Sequence, residues 1–86
     1  MQVDLHRDFN KAYSKLSIKQ ELHVKKVIAL FKNNPYDAIL KNHALHGKQK
    51  GRRSISAGGD LRIVLVEENN YEIVEMLNVG THTQVY

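Results

Sequence analysis

The chain has 86 residues, no cysteine and a formal net charge of +4. This composition excludes disulfides and thiolate metal sites, and it favours acidic partners without choosing among RNA, DNA, membrane and protein. The length predicts a single small domain over residues 1–86 with a modest core. No apolar run is long enough for a signal peptide or a membrane span, so we expect a soluble, cytoplasmic protein.

The N-terminal half predicts a short strand followed by two helices. Residues 2–6 alternate as a half-buried strand does, and Asp8 is expected to cap the first helix. Ser17 and Gln20 form a capping-box pattern at the start of a second helix, which Pro35 would end. Apolar residues recur at helical spacing, at Phe9, Ala12, Tyr13 and Leu16 and again at Val24, Val27, Ile28 and Phe31.

The C-terminal half predicts three antiparallel strands, after one further turn at residues 36–40. Residues 53–56 and 61–66 are the first two strands, with a turn at residues 57–60. Asn69-Asn70 is typical of a tight hairpin turn, and residues 71–79 would return as a central strand. The expected class is α+β, with an N-terminal strand and a two-helix hairpin packed on an antiparallel β-meander.

Residues 38–59, between the helices and the last strands, contain no acidic side chain. Gly47 and Gly51 predict that much of this segment is an irregular loop. Its basic and histidine side chains are Lys41, His43, His46, Lys48, Lys50, Arg52 and Arg53. Such a composition is typical of a surface for polyanions. We expect this basic segment and the C-terminal tail, residues 80–86, to meet and form one site that acts on RNA.

Three interpretations of His43 and His46 remain open. As zinc ligands they would need a helix and a third ligand, and the lack of cysteine disfavours zinc. They could be solvated loop residues. They could also transfer protons near a phosphate, because an unperturbed imidazole has a pKa of about 6.5. We expect no metal and no other cofactor.

Arg53 and Arg62 are predicted near the ends of adjacent strands. A guanidinium group matches the geometry of phosphate oxygens and stays charged. Arg53 could equally be a solvated edge residue or a partner of Asp60. Arg62 lies between Leu61 and Ile63 in an apolar strand, so we expect it to need an anion.

His82 and Tyr86 lie in a short tail without charged side chains, directly after the predicted central strand. Residues so near a terminus are commonly frayed, but this position favours ordering against the sheet. Tyr86 could stack on a base, donate its hydroxyl to a phosphate or pack on the core. The acids of the last hairpin are typical of a solvated face. A nuclease built from this chain is therefore expected to use acid–base chemistry with the 2′-hydroxyl of RNA as nucleophile, which excludes DNA as substrate.

Four runs of the C-terminal half carry a family resemblance: residues 43–47, 53–55, 59–64 and 79–86. Together they resemble the RelE/ParE toxin superfamily, and most closely its YafQ-like branch of messenger-RNA interferases. The resemblance implies the toxin of a type II toxin–antitoxin system that cleaves mRNA on the ribosome. It also implies a cognate antitoxin, expected to be an acidic, partly disordered segment that folds on the toxin, with DNA contacted only through the complex.

The resemblance implies roles only where residues match. His82 would be a general acid or base, and Arg62 would stabilise charge developing on the phosphate. His43 and Asp60 match polar positions of the active site, and Tyr86 matches a terminal aromatic residue. His46 completes the catalytic candidates, and the candidates for binding RNA or phosphate are Lys48, Lys50, Arg52, Arg53 and Tyr86.

The chain departs from that branch at Ser56, where a histidine is typical, and at Asn78, where an arginine is frequent. Leu61 also stands where an aromatic residue occurs. These departures leave three alternatives: His46 takes up a catalytic role, the nuclease activity is weaker, or the toxin acts on a different target. A ParE-like toxin that poisons DNA gyrase would share the fold and the charge but would not need converging histidines. A lapsed homologue that only binds antitoxin is a third alternative.

Overall fold

The computed structural model describes residues 1–86 as a five-stranded sheet with its two longer helices packed on one face. The strands are β1 (Gln2–Leu5), β2 (His43–Ala44), β3 (Arg53–Ser56), β4 (Leu61–Glu68) and β5 (Ile73–Thr81), and the helices are α1 (Arg7–Tyr13), α2 (Ile18–Asn33) and α3 (His82–Val85). The spatial order is β1-β5-β4-β3-β2. β1 joins β5 in parallel and every other pair is antiparallel. The predicted α+β class and meander are confirmed.

The two long helices begin at side-chain caps. In α2 the capping box is confirmed, since Ser17 Oγ accepts from the Gln20 amide at 3.1 Å and Gln20 Oε1 accepts from the Ser17 amide at 3.0 Å. The prediction that Asp8 caps α1 was wrong. The cap is His6, whose Nδ1 accepts from the Asp8 amide at 3.0 Å, while Asp8 lies in the first turn, where its charge complements the helix dipole. No helix is both long and apolar enough to cross a membrane.

The core lies between these helices and one face of the sheet. Its buried members include Phe9, Val24, Val27 and Phe31 from the helices and Ile55, Leu61, Ile63, Leu65, Val74, Met76 and Val79 from the strands. The predicted apolar stripe of α2 is confirmed, with Ile28 only partly buried at its edge. Because side chains alternate along each strand, the residues between these core positions form a second face that no long helix covers. That face is called the open face below.

The connection between β4 and β5 is wider than predicted. Asn69 and Asn70 have positive φ angles of 54° and 55°, as the sequence indicated, but Tyr71 also has a positive φ of 67° and β5 begins only at Ile73. Tyr71 lies in this turn with its side chain buried, and its hydroxyl accepts from Asn42 Nδ2 at 2.8 Å. The predicted start of the last strand at Tyr71 was therefore wrong.

The basic segment is more ordered than its glycines suggested. His43 and Ala44 form the edge strand β2, which pairs with β3, so the prediction of a loop was wrong there. Short 3-10 turns at Ala38–Leu40 and Gly47–Gln49 flank it, the first of them within the turn predicted for residues 36–40. At the C-terminus, α3 confirms that the tail is ordered against the sheet.

Candidate active site

Strand register places polar residues of the open face in two rows. The first row, from β2 to β5, is His43, Ser54, Val64 and Asn78, and the second, from β3 to β5, is Ser56, Arg62 and Gly80. Residues opposed in adjacent antiparallel strands project to the same face of a sheet. The register therefore brings His43 and Arg62, two of the predicted catalytic residues, to the same face.

The tail folds back onto the open face at Gly80. A Cβ atom on Gly80 would lie 2.8 Å from Gln84 Oε1 and 3.3 Å from Val85 Cγ1, so a side chain there would collide with α3. Gln84 Oε1 also accepts from the Thr81 amide at 2.8 Å and closes a capping box at the start of α3. Since Gly80 is opposite Arg62, the tail packs next to that arginine.

Two hydrogen bonds hold the end of the tail. The Tyr86 hydroxyl donates to Ser54 Oγ, and Gln49 Nε2 donates to the Val85 carbonyl at 2.9 Å. Ser54 is 0% exposed and is the one buried polar residue of the chain. The His82 and Tyr86 rings pack nearly perpendicular to each other, with ring centroids 4.5 Å apart. The predicted meeting of tail and basic segment is confirmed by these contacts.

Arg62 is half-buried, and its guanidinium is held at one nitrogen. Nη1 donates to the Gly59 carbonyl at 3.1 Å and to the Leu61 carbonyl at 2.9 Å. No lysine or arginine of the chain lies within ion-pair distance of a carboxylate, so Arg62 has no carboxylate partner. The two carbonyls fix the direction of the side chain while Nε and Nη2 stay available to an anion.

His43 has a defined tautomer because of its surroundings. It is exposed on the edge strand, and its Nδ1 lies 2.8 Å from the Lys41 carbonyl. A carbonyl can only accept, so Nδ1 carries a hydrogen, and in the neutral form of the ring the lone pair is on Nε2. That arrangement suits a proton acceptor. His46 is also exposed but precedes the Gly47–Gln49 turn without a side-chain hydrogen bond to it.

Asp60 and Arg53 are not brought to the open face. Asp60 lies in the turn between β3 and β4 and lines a groove beside α2. Arg53 alternates with Ser54 and so belongs to the helix side of the sheet, where its Nε donates to Asn42 Oδ1 at 2.8 Å. That bond answers the question the sequence left open, because Arg53 is neither a solvated edge residue nor a partner of Asp60.

The other predicted phosphate ligands surround the Gln49 contact with the tail. Lys48, Lys50 and Arg52 are exposed. Arg52 Nη1 donates to Gln49 Oε1 at 2.9 Å, so this arginine helps to orient the amide that holds Val85. These cations lie beside the tail rather than in the two rows.

Sequence reasoning missed Ser54 and Gln49 as supports of the tail. Ser54 and Ser56 alternate with Arg53 and Ile55, and that alternation could have placed both serines on the face away from the core. No local pattern pointed to Gln49, because its partner Val85 is 36 residues away along the chain.

Comparison with known proteins identifies the fold. No family model matches the chain, and no curated protein matches it in sequence. YafQ from E. coli strain BL21(DE3) is 22% identical with a TM-score of 0.79, over 99% of this chain and 97% of that chain. The YoeB/ParE toxin from Agrobacterium tumefaciens is 16% identical with a TM-score of 0.77, over 95% and 99%. The E. coli DinJ-YafQ toxin-antitoxin complex matches at 22% identity and a TM-score of 0.76, over 99% and 96%.

These likenesses define a class of fold rather than an activity. The chain has the α+β fold of the RelE/ParE-type toxins, as the sequence resemblance implied. Within that class, two solved structures of YafQ are each matched over 99% of this chain and 97% of their own.

Proposed function

We propose that this protein is the toxin of a type II toxin–antitoxin system and a metal-independent endoribonuclease that cleaves mRNA on the ribosome. The observation that carries the proposal is the placement of Arg62, His43 and the His82-bearing tail at one open face. A fold shared with toxins supports it. The basic segment beside the tail supplies the charge that a polyanion requires.

The chemistry uses the substrate's own 2′-hydroxyl. His43 Nε2 accepts the proton of that hydroxyl as its oxygen attacks the adjacent phosphorus, and His82 donates a proton to the departing 5′-oxygen. Arg62 stabilises the negative charge that develops on the non-bridging oxygens, through the guanidinium nitrogens that its carbonyl contacts leave free. The products are a 2′,3′-cyclic phosphate and a 5′-hydroxyl. DNA lacks the nucleophile and is not cleaved.

Tyr86 positions the tail, and its ring packs perpendicular to that of His82. Aromatic rings on single-stranded RNA surfaces stack on unpaired bases, so Tyr86 also contacts the substrate. Lys48, Lys50 and Arg52 bind the flanking phosphates. The proposed partners are therefore mRNA, the ribosome and a cognate antitoxin, and the proposed location is the cytoplasm. The solved DinJ-YafQ toxin-antitoxin complex supports the antitoxin partner.

Primer extension on a reporter message in a cell-free translation reaction tests the activity. We expect wild-type protein to create discrete new 5′ ends inside the translated region. His82→Ala should remove them, because loss of a general acid or base lowers the rate by about 10²–10⁴-fold. Lys32→Ala, which changes an exposed lysine at the end of α2, is the control and should cleave like wild type.

The opposite result points to another target. If the message stays intact while the folded protein still arrests growth, RNA cleavage is excluded and DNA gyrase becomes the target to assay. If growth and message are both unaffected while antitoxin is still bound, the protein is a lapsed homologue.

A further inference from the structure

A cavity lies at one edge of the sheet, between α1, the end of β5 and the tail. β1 pairs with β5 only from Ile73 to Met76, so no strand covers the outer edge of β5 beyond Met76. The cavity has a volume of about 390 Å³ and is lined by side chains from residues 8–16, 78–79 and 84. Small-ligand sites have volumes of about 300–1,000 Å³, so this cavity is large enough to be one. It is called the α1 pocket.

Two carboxamides of the α1 pocket have their orientation fixed by the backbone. The Val79 amide donates to Asn78 Oδ1 at 2.9 Å, and the Thr81 amide donates to Gln84 Oε1 at 2.8 Å. A backbone amide can only donate, so the accepting atom of each side chain must be its oxygen. These bonds leave Asn78 Nδ2 and Gln84 Nε2 to donate to a ligand.

Two lysines make the α1 pocket positive. Lys11 lies in the last turn of α1 and Lys15 lies just beyond the helix, and both are exposed. Neither ammonium group lies within ion-pair distance of a carboxylate, although Asp8 belongs to the same lining. The lining therefore has one more positive than negative charge, and both ammonium groups can pair with a ligand.

Fixed amide donors and unpaired ammonium groups select a ligand that carries acceptors and negative charge. A phosphate group with an attached sugar and base supplies both. Asp8 adds an acceptor, which inorganic phosphate would leave unused and an amino group of a nucleobase can fill. The apolar side chains of the lining, Ala12, Leu16 and Val79, are buried or half-buried, so an amphipathic peptide finds no exposed apolar anchor there. The chemistry therefore fits a nucleotide.

We propose that the α1 pocket binds one nucleotide of single-stranded RNA. Lys11 and Lys15 pair with its phosphate, and the amide nitrogens of Asn78 and Gln84 donate to acceptors of its base or sugar. The assignment of that nucleotide to the cleaved message rests on the proposed function. A free mononucleotide carries the same groups and is the alternative source of the ligand.

The α1 pocket is continuous with the candidate active site. Asn78 belongs to the first row of the open face, and Gln84 closes the capping box of the helix that begins at His82. Gly80, which lies opposite Arg62, is two residues from Asn78, or about 7 Å along an extended strand. The pocket is therefore placed to select a nucleotide beside the phosphate at Arg62.

Binding is measured by NMR on isotope-labelled full-length protein. The probes are the four ribonucleoside 5′-monophosphates, inorganic phosphate and a tetranucleotide of 2′-O-methyl RNA, which has no free 2′-hydroxyl to act as nucleophile. We expect the nucleotide probes to shift amides of residues 11–16 and 78–84, and inorganic phosphate to bind more weakly. The tetranucleotide should bind about tenfold or more tightly than any monophosphate, because it also reaches the basic open face.

An isosteric variant tests the amide donor. Asn78→Asp keeps the oxygen that accepts from Val79 and replaces the free nitrogen with a charged acceptor. We expect it to weaken nucleotide binding about tenfold or more. Asn10→Asp adds the same charge to an exposed position of α1 outside the pocket. It should keep the affinity within about twofold, because exposed charges at a distance are largely screened.

A pair of double variants tests the lysines. Lys11→Gln/Lys15→Gln should weaken binding of every phosphate-bearing probe. Lys25→Gln/Lys32→Gln removes the same charge from exposed positions of α2 outside the pocket, and it should leave the affinity for the monophosphates within about twofold.

The translation reaction adds a readout that a merely structural role would not change. Asn78→Leu should alter which bases flank the mapped 5′ ends, while the total amount of cleavage falls less than in His82→Ala. An unchanged base preference together with unchanged cleavage contradicts selection by the pocket.

Three binding results would overturn the proposal. Asn10→Asp could weaken binding as much as Asn78→Asp, the tetranucleotide could bind no more tightly than a monophosphate, or a glutamate-rich peptide could shift the same amides more strongly than RNA. The second result would assign the pocket to a free nucleotide and the third to a protein. Because binding is measured without cleavage, nucleotide binding with intact mRNA contradicts the proposed nuclease alone. Cleavage without shifts at the pocket contradicts the pocket alone.

Discussion

Single contacts between distant residues decide where the tail lies. The hydroxyl of Tyr86 meets the hydroxyl of Ser54, 32 residues earlier, at the bottom of the open face. Ser54 is fully buried, so its hydroxyl needs this partner: an unpaired buried polar group costs about 1–3 kcal/mol. The same bond fixes the ring on which His82 packs. Tyr86 therefore links the stability of the tail to the position of a candidate catalytic residue.

Tyr86→Phe and Ser54→Ala test this link at the residue scale. Each variant should lower the free energy of unfolding by about 1–2 kcal/mol, measured by urea denaturation. The double variant should be less destabilised than the sum, because both changes remove the same bond. Tyr36→Phe is the matched control: its hydroxyl bonds the exposed Asn70, and we expect a loss below about 0.5 kcal/mol. Strict additivity of Tyr86→Phe and Ser54→Ala would contradict the link.

At the scale of elements, the sequence predicted what local patterns specify. The helical stripe, the Ser17 capping box and the three antiparallel strands follow from periodicity and turn residues, and all are present. β2 was missed because a strand of two residues has no period of its own and exists only through pairing with β3. α3 has four residues and depends on Gln84 and on the space above Gly80. The packing of His23 on Gly58 likewise joins residues whose proximity no local pattern encodes.

The residues of the candidate site likewise include some that the sequence predicted correctly and some that it did not. Residue type and charge pointed to His43, Arg62, His82 and Tyr86, and the structure brings these to the open face or to the tail packed on it. Arg53 was chosen by the same criteria and Asp60 from the family resemblance, and both lie elsewhere. The two groups of residues are separated by the direction in which side chains point along a strand and by the direction of the turn. Both depend on strand register. The β4–β5 register includes a shift between Val64 and Leu65, and that irregularity cannot be read from a single sequence.

The turn from β5 into α3 is the element on which the tail depends. Gly80→Ala would place a methyl group against Gln84 and Val85 and disturb the capping box. We expect a loss of about 0.5–2 kcal/mol, the usual cost of a lost helix cap. Amide hydrogen exchange at residues 82–86 should become faster, while exchange in β1 should not change. Gln84→Ala, which removes the capping oxygen without adding bulk at Gly80, should loosen the tail similarly. Unchanged hydrogen exchange in the tail of Gly80→Ala would show that α3 does not depend on the close packing of Gln84 and Val85 against Gly80.

Across the whole molecule, the open face is divided by charge. Near β1 it carries Asp4, Glu68 and Glu75, which strand register places on this face. At the other end are Arg62, His43 and the basic segment. A polyanion is repelled from the first end and attracted to the second. The helix side carries exposed lysines of its own, among them Lys19 and Lys26, so positive charge is not confined to the open face.

The central claim is that the open face cleaves RNA through the substrate's own 2′-hydroxyl. The most direct measurement uses a message with a single 2′-deoxynucleotide immediately 5′ of a cleavage position already mapped by primer extension. The message is translated in the presence of the wild-type protein. We expect cleavage to disappear at that position and to continue at unmodified positions of the same molecule, because only the altered nucleotide lacks its nucleophile. Cleavage of the modified bond at an unchanged rate would contradict the account.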